Sequence, residues 1–189
     1  MSTNTIWTPG LKIIDVSRVV EEIRERTAIL QKFPVDIDSF IEFELNIELI
    51  PYPDLHGKIG AEAMISMDYT SIYVDSAAYM DESRLNRIKF SIAHELGHYY
   101  LHKDFFVKQK IRTEEDWISL MLQIKLKYVF LENHANWFAG ILLVPAEELF
   151  NVIKNNHCKS LSELTRYFGV SQGVIKKRLE APDVQELLP

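Results

Sequence analysis

The stretch "FSIAHELGHYYLHKD", residues 90–104, constrains this chain more than any other part of it. It sets three histidines and a glutamate in an otherwise apolar run, and the spacing predicts a helix over 82–102. On such a helix His94 and His98 lie four residues apart on one face, about 6 Å along the axis. Two imidazoles so placed can converge on one cation, with Zn–N distances of about 2.0–2.1 Å. Glu95 lies about 100° round the helix from His94. It is poorly placed as a third ligand but well placed to reach a water held at the ion. This is the HExxH arrangement, two ligands and a general base. The competing reading is a buried helix with two satisfied core histidines. Glu95 counts against that reading, because an unpaired carboxylate in an apolar helix is costly.

A catalytic zinc takes three protein ligands and leaves one position open. His102 cannot be the third, since eight helical residues put it about 12 Å from His94. It is expected to be exposed or to support a ligand. The extended HExxHxxGxxH pattern is also excluded, because Leu101 and Asp104 stand where it requires glycine and histidine. Downstream, in "VFLENHANWFAGILLVP", Glu132 and Asn136 share a helix face at i, i+4, while His134 points about 200° away from Glu132. Glu132 can complete a His₂Glu set, and Asn136 can orient a ligating imidazole through its second nitrogen. From spacing alone Glu114, Glu115, Glu147 and Glu148 remain open alternatives to Glu132.

The rest of the chain predicts an α+β domain. Val16, Val19, Val20, Ile23 and Leu30 recur at helical spacing from Asp15 to Phe33, and Pro34 ends the run. A short helix capped by Asp36 or Asp38 follows. "NIELIPY", "AEAMISMD" and "SIYVDS" then read as two or three strands of a small sheet, the last either an edge that pairs with an extended peptide or an ordinary core strand. Beyond Asp81 the pattern is helical: after 82–102, a run over 115–143 with a possible break, a helix after Pro145, and two short ones at 161–168 and 172–180. The last pair, with a Gly169 turn and Ser171 as cap, has the pattern of a helix-turn-helix.

Composition limits the function. A net charge of −6 over 189 residues lacks the basic footprint of a dedicated nucleic-acid binder. Between Lys159 and Glu180 there are five basic residues against two acidic, a surplus too mild to make DNA binding the expected role. Cys158 is the sole cysteine, which excludes an intrachain disulfide and a thiolate zinc cluster and suits a reducing cytosol. The N-terminus does not read as a signal peptide, and no segment reaches the roughly 20 apolar residues of a membrane-spanning helix. A cytoplasmic protein is expected; its oligomeric state is left open.

"RIKFSIAHELGHYYLH" followed by "LENHANWFAGILLVP" resembles the ImmA/IrrE-type metallopeptidases. The match is anchored on Phe90, Ala93, His94, Glu95, Leu96, Gly97 and His98, and continues through Glu132, Ala135, Asn136, Phe138, Ala139, Leu142, Leu143 and Pro145. It departs at Gly140, where a small side chain is more usual, and at His134, where the family often has an acid. The resemblance implies a small mixed or antiparallel sheet, a mainly helical zincin-like body and a helix-turn-helix-like C-terminus. The corresponding divisions are an N-terminal helical extension over 1–33, a metallopeptidase domain over 34–156, and C-terminal helices over 157–189 packed on it. It further implies Glu132 as third ligand to Zn²⁺, with Mn²⁺ as an alternative ion. The implied activity is a narrow endopeptidase that cleaves a helix-turn-helix repressor to release mobile-element, prophage or stress genes from repression. The competing class is a non-proteolytic metal-binding regulator that acts by binding a partner repressor or DNA. An intact Glu95 favours the enzyme, since a binding module needs no general base.

Overall fold

A computed structural model of the chain describes residues 10–108, 111–127 and 129–187. The first nine residues of the expected N-terminal extension lie outside them.

Among the described residues the first helix is α1 (Ile13–Arg24), whose Val16, Val20 and Ile23 are buried. The sequence predicts this helix as far as Phe33, but it stops at Arg24. Thr27 Oγ1 accepts the N–H of Ile29 at 3.2 Å and donates to Glu44 at 3.0 Å, offering the backbone a partner outside the helix. A single 3₁₀ turn over Ile29–Gln31 is what remains of the run. Helix α2 (Ile37–Ser39) is capped by Asp36, whose side chain accepts the N–H of Ser39, and continues into a wider turn over Phe40–Glu44.

Strand β1 (Glu48–Tyr52), helix α3 (Leu55–Ile59), strands β2 (Ala63–Ile65) and β3 (Ser71–Asp75), and helix α4 (Ser76–Tyr79) follow. The sheet order is β1-β3-β2, with β1 parallel and β2 antiparallel to β3. "SIYVDS" is therefore the central strand, not an edge. Ile72 and Val74 are fully buried, and both sides of the strand are occupied by ladder partners. The outer edges belong to β1 and β2. In the β2–β3 ladder, Ser66 N–H bonds Ser71 C=O and Asp75 N–H bonds Glu62 C=O. By antiparallel alternation the main-chain groups of Ala63 and Ile65 point away from β3.

The remainder is helical: α5 (Leu85–Val107), α6 (Glu114–Lys127), α7 (Val129–Leu143), α8 (Ala146–Lys154), α9 (Leu161–Phe168), α10 (Gln172–Leu179) and α11 (Pro182–Gln185). The expected run over 115–143 is covered by α6 and α7; the position between them, where the expected break would fall, lies outside the described residues. Helix α5 lays Ile88, Ile92 and Leu96, all fully buried, over the sheet. Helix α7 buries Leu131, Ala135, Phe138 and Leu142, the pattern of a helix enclosed by α1, α5, α6 and α10.

Two glycines set how closely the neighbours of α7 approach. A Cβ on Gly97 would stand 2.7 Å from Ala135 Cα, so α5 and α7 cross almost backbone to backbone. A Cβ on Gly140 would stand 3.1 Å from Cδ of Arg178, whose buried guanidinium bonds Val144 C=O at 3.0 Å and Asp183 at 2.7 and 3.0 Å. The glycine in place of the usual small side chain thus gives Arg178 its passage. One apolar cluster runs through the described residues from Val16 to Val184.

Candidate metal centre

The close α5–α7 crossing brings one turn of each helix face to face. His94 Nε2 and His98 Nε2 are 3.1 Å apart. Glu132 offers Oε2 at 3.5 Å from the first and Oε1 at 3.4 Å from the second. An ion bound at about 2.0–2.1 Å to tetrahedral donors has donor–donor edges of about 3.3 Å. Two imidazole nitrogens and a carboxylate at these separations fit such an ion in both chemistry and spacing. One donor atom each from His94, Glu95 and His98 also falls within 4.8 Å of one another.

The second nitrogens of the two imidazoles have defined partners. His94 Nδ1 lies 3.1 Å from Asn136 Oδ1, an atom that can only accept, so the ring proton sits on Nδ1 and Nε2 presents a lone pair. His98 Nδ1 lies 2.9 Å from Nδ1 of His102. Burial, together with the facing His98, pushes the His102 imidazole well below its ordinary pKa and keeps it neutral. A neutral His102 can accept the Nδ1 proton of His98 and leave His98 Nε2 as a donor to an ion. The sequence pointed to His102 only as exposed or supporting; it is fully buried behind His98. The same i, i+4 rule that pairs His94 with His98 also pairs His98 with His102. His134, read as a non-ligand, is buried beside His102 with ring centroids 5.7 Å apart, and burial lowers its pKa too.

Glu95 has a different setting. It is 6 % exposed, and its Oε2 accepts the N–H of Ile65 in β2 at 3.0 Å. The carbonyl of Ile65 in turn accepts the indole N–H of Trp117 in α6 at 2.8 Å. The general-base candidate is thus tied to strand β2 through that main-chain bond. Glu95, His94 and Glu132 line a cleft of about 230 Å³ together with His56, Glu62, Ala63 and Arg87. Glu62 is buried, takes a hydrogen bond from Arg84, and forms an ion pair with Arg87 at 2.8 Å. Tyr73, Tyr99 and Tyr100 do not line this cleft. Tyr100 instead stacks on Phe138 at 5.5 Å. His56 and Arg87 do line it, and sequence reasoning missed them because they approach from α3 and the far end of α5.

A family model described as Peptidase M78, the IrrE N-terminal-like domain, matches residues 78–180. No curated protein matches the chain. A solved structure described as a Mycobacterium tuberculosis transcriptional regulator superposes with a TM-score of 0.61 at 19 % identity, covering 88 % of this chain. This chain spans 56 % of that one, and at such identity the likeness is one of fold.

Proposed function

The chain belongs to the Peptidase M78 family, and on that premise we propose that it is a zinc-dependent endopeptidase of narrow specificity. Its substrate is a protein, a helix-turn-helix transcriptional repressor. The observation that carries the reading is the triangle of His94 Nε2, His98 Nε2 and Glu132, with edges of 3.1–3.5 Å, beside the Glu95 carboxylate that Ile65 N–H orients.

His94, His98 and Glu132 would hold the ion. Zinc bound there supplies Lewis acidity and lowers the pKa of water toward 7. Asn136 and His102 hold the ligating imidazoles in the required tautomer. Glu95, oriented by Ile65 N–H, takes the proton of the attacking water and passes it to the leaving amine. The outward-facing main chain of Ala63 pairs with the extended substrate, as added strands do on an open sheet edge. His56 and Arg87 are the donors at hand for charge developing on the scissile carbonyl.

The test incubates the protein with the repressor encoded beside its gene, with Zn²⁺, with Mn²⁺ and without metal. Glu95→Gln serves as the control that keeps the metal but loses the base. Cleavage by wild type and not by Glu95→Gln is expected. A repressor bound but left intact under every metal would instead select the non-proteolytic regulator. Metal analysis of Glu132→Ala tests the third ligand independently.

A further inference from the structure

A larger hollow, about 530 Å³, adjoins the metal cleft. Its apolar wall is Ile13 of α1, Phe90 of α5, Trp137 of α7, Val174 of α10 and Pro182 of α11. Arg87, Phe90 and Asn136 line both hollows. Asn136 joins them most directly, since its Oδ1 holds His94 while its side chain borders the larger space. The pocket therefore begins at the residue that orients a proposed metal ligand.

We propose that this hollow receives a bulky apolar side chain of the substrate, flanking the scissile bond, and that α10 and the start of α11 thereby set specificity. The inference rests on the peptidase reading and adds the class of residue the enzyme selects. Three observations carry it. The lining is mainly apolar and includes Phe90 and Trp137, with Arg87, Lys177 and Glu180 among its charged members. The volume lies within the roughly 300–1,000 Å³ of pockets that enclose small ligands, enough for a large side chain and its adjoining backbone. The wall is also fixed in place, because Arg178 ties α10 to the end of α7 through Val144 C=O and to α11 through Asp183.

The placement also accounts for the C-terminal basic run. Arg178 is 4 % exposed and engaged inside the protein, while Lys177 lines the pocket. Two of the five basic residues between Lys159 and Glu180 thus belong to the pocket.

The test titrates zinc-loaded protein with three probes: acetohydroxamate, N-acetyl-alanine hydroxamate and N-acetyl-phenylalanine hydroxamate. The first reaches only the metal, and the third carries the side chain the pocket should take. Wild type is expected to bind the phenylalanine probe roughly ten- to a hundredfold more tightly than the alanine probe, the worth of burying one large apolar side chain. Gly173→Trp fills the pocket from α10, where a new Cβ meets only Ser171 Oγ at 3.7 Å. It should erase the preference and leave acetohydroxamate affinity unchanged. Val174→Asp, which charges the wall at little change in volume, should do the same. Equal affinity for the two amino-acid probes, or a preference that survives both substitutions, overturns the pocket. A protein that binds no acetohydroxamate overturns the metal site instead. In that case the Trp137 indole resonance, followed during titration with N-acetyl-phenylalanine amide, still decides the pocket: a shift lost in Gly173→Trp supports it, and no shift in wild type overturns it.

Discussion

Replacing Gly97 by alanine separates metal binding from stability. The added methyl would sit 2.7 Å from Ala135 Cα and 3.1 Å from its Cβ and carbonyl oxygen. Contacting carbons settle at about 3.5–4.0 Å, so α5 and α7 must part locally by about 0.8 Å or more. Overpacking of this kind costs about 1–3 kcal/mol, and exchanging glycine for alanine in a helix returns about 1 kcal/mol. The metal-free protein should therefore lose only about 0–2 kcal/mol. The donor triangle is far less tolerant, because a metal site holds its distances to about 0.2 Å. Glu132 sits three residues before Ala135 on α7 and moves with it. Its withdrawal should weaken zinc at least as much as losing a supporting hydrogen bond, about 10–100-fold. Competition against a chromogenic chelator reads the affinity, and calorimetry of the metal-free protein reads the stability. Gly173→Ala is the control, since its new methyl meets no backbone. Wild-type zinc affinity in Gly97→Ala would refute the reasoning, whatever its melting temperature.

His102→Leu should weaken zinc about 10–100-fold by removing the acceptor for His98 Nδ1, and His102→Gln should restore part of the loss; chelator competition measures both. Arg178→Met should cost about 3–5 kcal/mol in urea unfolding by leaving Asp183 buried without its partner, and adding Asp183→Leu should recover most of it. Asp75 accepts the N–H groups of His56 and Ala78, which lower its pKa in the folded state. Its stabilisation is complete above the unfolded value of about 3.9 and is lost as the pH falls through the lowered folded value. Unfolding free energy should accordingly decline with acid below about pH 4, and the decline should be shallower in Asp75→Asn.

The parts of the fold governed by local spacing were legible in the sequence. His94 and His98 share a face because α5 has 3.6 residues per turn, and the same periodicity sets Asn136 behind Glu132. The three strand segments announced themselves by β-branched and aromatic residues between turn formers. Strand order did not, because a parallel β1–β3 pairing with β2 on the far side depends on how the chain crosses over, which no local pattern records. The early end of α1 hung on Thr27 finding Glu44, seventeen residues away. His56 and the pocket beside Trp137 were hidden for the same reason: each is assembled from elements distant in sequence. The resemblance singled out Glu132 from several acids; its two short distances to the imidazoles supply the physical reason.

The hydrogen bond from Ile65 N–H to Glu95 has a consequence for how this protein tolerates change. The group that orients the proposed base belongs to the main chain, so every residue except proline supplies it. Substitutions at position 65 should perturb the core that Ile65 fills while leaving the carboxylate's anchor intact. A side-chain scan would thus score Ile65 as a packing residue and pass over its part in the proposed reaction. Proline, or an ester in place of that one amide, would expose it.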